Sequence, residues 1–180
     1  MKFQKLFVTL YFLIQYSIIL AQQPAVGSVK SDLKDITYKV TPENDSVKLD
    51  IYLPANPTKK KMPVVLYIHG GAWAKGDKDF SSYYYTTSLK DTLQANGYAL
   101  ISINYRLVDK QHNLSDQISD CRDALKWIIE HADTYHFDVD NIGFFGESAG
   151  AHLALMMGYT DKPDASSDFR ARYIVDNFGP

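Results

Sequence analysis

The chain has almost no cysteine. Its 180 residues hold one, Cys121, which excludes an internal disulfide framework and a paired-cysteine metal site. Net charge is also scarce. Nineteen Lys and Arg stand against 21 Asp and Glu, leaving −2 at pH 7, so there is no basic footprint for nucleic acid. Internal repeats and low-complexity tracts are absent, which excludes a solenoid. The longest uncharged apolar run, Leu6 to Leu20, falls short of the roughly 20 residues a membrane-spanning helix needs. Lys2 and Lys5 precede that run, and Ala21 closes it before Gln22 and Gln23. Basic, then apolar, then small is the order of a secretory signal. It predicts a signal over residues 1–21, cleavage after Ala21, a secreted or periplasmic protein and no stable membrane insertion.

The remainder is ordinary for a globular domain, with 46% hydrophobic and 22% charged residues. A polar linker over 22–33 leads to one predicted domain over 34–180. Its first two segments, "DITYKV" and "SVKLDIYLP", alternate apolar and polar residues around the turn-rich "TPEND", which predicts an antiparallel hairpin. The pattern then changes. "MPVVLYIHGG" and "YALISINYRL" are continuous apolar runs, as expected of strands covered on both faces of a parallel sheet. Between them, "YYYTTSLKDTLQANG" reads as a helix stopped by Gly97. "LSDQISDCRDALKWIIEHADTYH" reads as one long amphipathic helix capped by Ser115, with Cys121 near the core. "NIGFFG" is a short buried strand, "SAGAHLALMMGY" a helix and "RYIVDNFGP" a final strand and turn. The alternation predicts an α/β fold with a doubly wound, mostly parallel sheet behind the hairpin.

The chemistry gathers in two places. Gly146-Glu147-Ser148-Ala149-Gly150 sits where a strand must reverse into a helix. Small residues two before and two after the Ser allow that reversal, which lifts the hydroxyl above the sheet and aims a helix N-terminus at it. Ser148 is therefore the candidate nucleophile. The second place is "YIHGGAW", directly after the first buried strand. Gly70 and Gly71 there, with the amide of Ala149, are candidate donors to the oxyanion of a tetrahedral intermediate. Trp73 is a candidate for stacking substrate, weighed against packing of its own loop.

These stretches, with "SINYRL", "DALKWI" and the closing "FGP", resemble the α/β-hydrolase superfamily. They are most similar to its esterase/lipase branch with an HGG oxyanion loop, which includes hormone-sensitive-lipase-like and feruloyl or acetyl-xylan esterase-like enzymes. The resemblance implies an α/β-hydrolase fold, a Ser nucleophile, an acid and a His in that chain order, and no cofactor or metal. It places the acid and the His further along than Pro180, so the hydrolase domain is expected to be incomplete, with its C-terminal part missing. His152, one helical turn after Ser148, would point along its helix away from substrate; Asp176 reads as structural. The implied activity is secreted ester hydrolysis through an acyl-enzyme, with a small-molecule or carbohydrate ester as partner, such as an acetyl or feruloyl ester. The alternatives are a non-catalytic binding domain on this fold, an inactive truncated product, and a serine peptidase of the same fold.

Overall fold

Two unbroken apolar segments make the centre of the sheet. All seven residues of β3 (Met62–Ile68) and all five of β4 (Ala99–Ile103) are buried, which requires cover on both faces. The computed structural model describes residues 32–180 except 56, 58–59, 81–83 and 160–168. The expected signal and most of the expected linker lie outside the described residues. Around the central pair stand β1 (Asp32–Val40), β2 (Ser46–Tyr52), β5 (Phe137–Glu147) and β6 (Ile174–Asn177). The sheet order is β1-β2-β4-β3-β5-β6. β1 and β2 form the expected antiparallel hairpin, and β2 also runs antiparallel to β4. β4, β3, β5 and β6 are mutually parallel.

The period of two along each strand sorts the core onto two faces. Val64, Leu66 and Ile68 point one way with Ala99, Ile101 and Ile103. They meet Cys121, Ala124 and Ile128 of α2 (Leu114–Glu130) and Leu153 and Ala154 of α4 (Ala149–Tyr159). Val65, Tyr67 and Leu100 point the other way, against Phe80 and against Leu89 and Leu93 of α1 (Tyr84–Ala95). Cys121 is fully buried, and burial pushes its thiol far above the usual value.

The long helix expected from Leu114 is broken. At His131 the backbone leaves helical geometry, its amide donates to Trp127 and Ile129 carbonyls, and a single turn, α3 (Ala132–Tyr135), follows. His136, in the left-handed conformation, ends that turn. The N-cap is Asn113, not Ser115. The Asn113 side chain accepts from the Ser115 amide at 2.8 Å, while Asp116 accepts from the Asn113 amide at 2.9 Å, a reciprocal capping box. β5 is longer than "NIGFFG" because the polar "FDVD" continues it, through a register shift against β3.

Two buried ion networks fasten the hairpin. Lys78 is 7% exposed and pairs with Asp50 at 3.1 Å and Asp35 at 3.0 Å. Asp120 is fully buried. It takes a bidentate pair of bonds from Arg106 at 2.9 and 2.8 Å and a third from Lys39 of β1 at 2.6 Å. Burial pushes the Asp120 carboxyl up, but the bonds from Arg106 and Lys39 outweigh it and hold the group below its ordinary 3.8. A depressed folded value means stability that is full above the unfolded value and lost as pH falls through the folded one. The melting temperature is therefore expected to fall most steeply below about pH 4, and Asp120→Asn to flatten that acid limb, as read by thermal scans from pH 7 to 3.

Candidate active site

The turn after β5 is built on close backbone approach. A side chain at Gly146 would lie 2.2 Å from the Gly150 carbonyl oxygen, and one at Gly150 would lie 2.1 Å from that of Ile68. Only hydrogen fits at both places. Between them Ser148 is held at φ 51, in the left-handed region where a non-glycine residue is strained. Its amide donates to the Asn177 carbonyl at the end of β6, at 2.8 Å, and its carbonyl accepts from Ala151 and His152 amides at 2.9 and 3.2 Å. The peptide is thus fixed on both sides while the side chain stays exposed. Ala149 opens α4, so its amide has no carbonyl one turn back to donate to. The 11-residue helix adds the positive end of its dipole at the same spot.

The loop after β3 lies against this turn. A side chain placed at Gly70 would come within 3.3 Å of the Ser148 Cβ and 2.8 Å of the Glu147 carbonyl oxygen. Gly70 backbone therefore borders the Ser148 side chain directly. Beyond it, three successive residues have positive φ: Gly71 at 120, Ala72 at 51 and Trp73 at 61. The loop's closing bonds run from the Ala74 and Lys75 amides to the Gly71 carbonyl at 3.2 and 3.1 Å, and use neither the Gly70 nor the Gly71 amide.

What holds so strained a loop is a set of bonds from outside it. The Trp73 carbonyl accepts from the Val108 amide at 2.8 Å and from the Gln117 side chain at 2.7 Å. The Tyr105 hydroxyl donates to the His69 carbonyl at 2.8 Å, and the two rings stack 4.3 Å apart. His69 Nδ1 lies 2.7 Å from the Gly70 carbonyl oxygen, so it is the protonated nitrogen that donates there. Burial lowers the His69 pKa and keeps the imidazole neutral. Further on, the Lys78 amide and carbonyl are held by Asn104 and Ser102 at 2.7 Å each.

The structure brings Gly70 against Ser148, which Ala149 follows at the start of α4, while Gly71 turns back against Lys75. Trp73 is half-buried, packs on the core and meets the His152 ring edge-on at 5.6 Å. The sequence reading missed Gln117, a fully buried polar residue. Its signal was available, because Gln117, Cys121, Ala124 and Ile128 share the buried face of α2 and a polar residue in such a stripe needs partners. Among the described residues, no side chain hydrogen-bonds the Ser148 hydroxyl. Glu147 is engaged by the Tyr67 hydroxyl at 2.9 Å, and Asp176 accepts from the Gly179 amide at 2.7 Å, a local turn contact.

A parallel sheet with an antiparallel hairpin at one edge, and a serine on a strained strand-to-helix turn beside a double-glycine loop, define an α/β-hydrolase fold. The BD-FAE family model matches residues 49–180, and the chain belongs to that family. It is 32% identical over 146 residues to arylacetamide deacetylase of Bos taurus, a match covering 79% of this chain and 36% of that one. Among solved structures it is similar to a bifunctional GH43-CE protein of Bacteroides eggerthii, at 29% identity and a TM-score of 0.67 over 83% of this chain and 23% of that one. It is also similar to a truncated form of a carbohydrate esterase from gut microbiota, at 26% identity and a TM-score of 0.66 over 87% and 59%. The chain spans about a third of the deacetylase's length. Among the described residues, no helix is long and apolar enough to cross a membrane.

Proposed function

We propose that this chain carries the nucleophile and oxyanion site of a secreted serine carboxylic-ester hydrolase. The observation that carries the reading is the exposed Ser148 hydroxyl at φ 51, with Gly70 backbone against it. In this reading a base takes the Ser148 hydroxyl proton, later given to the leaving alcohol, as Ser148 Oγ forms a bond to the ester carbonyl carbon. The carbonyl electron pair moves to oxygen and is held by the Gly70, Gly71 and Ala149 amides. Collapse expels the alcohol, which takes up a proton, and leaves an acyl-serine. Water then repeats the sequence and releases the acid. Fixed amides and a helix N-terminus suit this task because they need no reorganisation as charge develops. Among the described residues no side chain hydrogen-bonds the Ser148 hydroxyl, and we assign the imidazole and carboxylate that the resemblance implies to residues other than the described ones.

The substrate class is a small-molecule or carbohydrate ester, with acetyl and feruloyl esters foremost. The signal pattern over 1–21 and the likeness to a carbohydrate esterase support export and this class. The test is hydrolysis of p-nitrophenyl acetate, alongside labelling by an alkyl fluorophosphonate, by protein made from the whole reading frame. Efficient labelling and turnover are expected. Residues 32–180 alone are expected to turn over at least about 100-fold more slowly, the usual contribution of a general base. Equal rates for the two would show that the base is already present beside Ser148.

A further inference from the structure

One stripe of α2 faces the core through Gln117, Asp120, Cys121, Ala124 and Ile128. Asp120 answers the charges of Arg106 and Lys39. Gln117 has no charge to answer, yet it is fully buried. It stands just after the capping box of Asn113 and Asp116, which fixes the first turn and so the direction in which the Gln117 side chain leaves the helix. Its amide nitrogen lies 2.7 Å from the Trp73 carbonyl oxygen and 2.9 Å from that of Arg106. Two acceptors at these distances settle which end of the amide is which, because a flipped group would set oxygen against oxygen twice. Gln117 Oε1 is buried with no donor among the described residues. A residue needed only for packing would be apolar and carry no such cost.

The two carbonyls belong to two segments. One is the loop after β3, where Gly71, Ala72 and Trp73 take φ of 120, 51 and 61. The other is the exit of β4. Its Tyr105 hydroxyl donates to the His69 carbonyl and its Val108 amide to the Trp73 carbonyl, each at 2.8 Å. Ala72 and Trp73 are not glycine, so left-handed backbone persists there only where surrounding bonds impose it. The Trp73 carbonyl carries two such bonds, and Gln117 makes the one that comes from outside both segments. Gly70 lies directly before the strained run, with its backbone against Ser148. A Trp73 carbonyl free to turn would let Trp73 and Ala72 relax toward ordinary φ, and the peptide planes before them would turn as well.

We propose that Gln117 is a positioning residue for acyl transfer: by holding the Trp73 carbonyl it keeps the run Gly71 to Trp73 strained and so fixes the direction of the double-glycine amides. The inference rests on the ester-hydrolase reading. Gln117 is fully buried, so it meets no substrate and acts through the loop. Its contribution belongs to the step in which charge appears on the substrate oxygen, because amides already in place need no reorganisation then.

The test uses protein made from the whole reading frame. Gln117→Met keeps the length of the side chain and removes both donors. With p-nitrophenyl acetate its kcat is expected to fall about 30-fold, less than the roughly 10²–10³-fold that follows loss of a whole oxyanion donor, with KM within about threefold of wild type. Amide hydrogen exchange is read on the same variant. The Ala74, Lys75 and Val108 amides close the loop and are expected to exchange at least about tenfold faster, while the amides of β3 and β5 keep their rates. Gln117→Glu is the second variant. Ionised, it offers no donor and repels both carbonyls; protonated, it gives one O–H back. Its kcat relative to wild type at the same pH is therefore expected to rise from about pH 8 to about pH 5, since burial raises the pKa of a carboxyl. Where Gln117→Met fails to fold by circular dichroism, this pH profile decides. Wild-type kcat in Gln117→Met, unchanged exchange at the three amides, or a flat ratio across pH for Gln117→Glu overturns the proposal. Fluorophosphonate labelling of Ser148 in the wild-type protein separates the two readings. No labelling with faster exchange in the Met variant sinks the hydrolase reading and keeps Gln117 as the holder of the loop. Full labelling with unchanged exchange sinks the role of Gln117 alone.

Discussion

Replacement of Ser148 by Ala is expected to abolish fluorophosphonate labelling and to lower kcat by about 10⁴-fold or more, the scale on which a serine nucleophile fails when removed. The expected loss is chemical and leaves the fold alone. Ser148 is exposed, and its peptide is held by backbone bonds to Asn177, Ala151 and His152 that an Ala keeps. Ala tolerates the geometry as well as Ser does, since Ala72 already stands at the same φ of 51 in the neighbouring loop. Ser148→Gly sharpens the test. Glycine occupies the left-handed region without strain, so this variant is expected to be as inactive as the Ala variant and about 1 kcal/mol more stable. Such a gain on loss of the nucleophile is the sign of strain kept for function. A Gly variant no more stable than wild type would show that the turn carries no such strain, and residual labelling in the Ala variant would remove Ser148 from its role.

The legible parts of this protein share one property: they repeat a local rule. Continuous apolar runs at Met62–Ile68 and Ala99–Ile103 are what double cover requires, and they became the two central strands. The alternation in "SVKLDIYLP" became the edge hairpin, and the spaced glycines around Ser148 became a turn into which no side chain fits. The parts that were not legible depend on partners far apart in the chain. Nothing near Lys78 shows that Asp50 and Asp35, from a hairpin before it, would surround its ammonium group. Nothing near Gln117 names the Trp73 carbonyl, 44 residues earlier, as its acceptor. The break at His131 was hidden for another reason. Apolar residues keep helical spacing across it, and only the return of the chain to pair Phe137 with Met62 demands a sharp exit. Of the candidate site, the serine turn and the glycine loop beside it were legible because so close a turn needs glycine. The scaffold of the HGG loop, with Tyr105, Gln117, Asn104 and Ser102 behind it, was not, because those side chains are ordinary in composition and specific only in position.

Two glycines of one helix give the largest expected difference in stability. Gly150 and Gly158 both lie in α4, where Ala would ordinarily stabilise by about 1 kcal/mol through helix propensity. At Gly158 an added Cβ would meet the Cδ1 of Ile174 at 2.2 Å, the tip of a side chain on a half-exposed edge strand, which can swing aside. At Gly150 it would meet the carbonyl oxygens of Ile68 at 2.1 Å and His69 at 2.5 Å, backbone at the end of a fully buried strand, which cannot. Relief there must move α4 off β3, and that movement carries Ser148 away from Gly70. Gly150→Ala is therefore expected to lose about 3 kcal/mol or more, roughly 6–12 °C in melting temperature for a domain of this size, and to lose fluorophosphonate labelling in whatever fraction stays folded. Gly158→Ala is expected to stay within about 1 kcal/mol of wild type and to keep full labelling. Urea melts and probe labelling of the two variants side by side decide the matter. Equal stability in both would mean that the helix does not sit on the end of β3, and the joint placement of hydroxyl and amides would lose its physical basis.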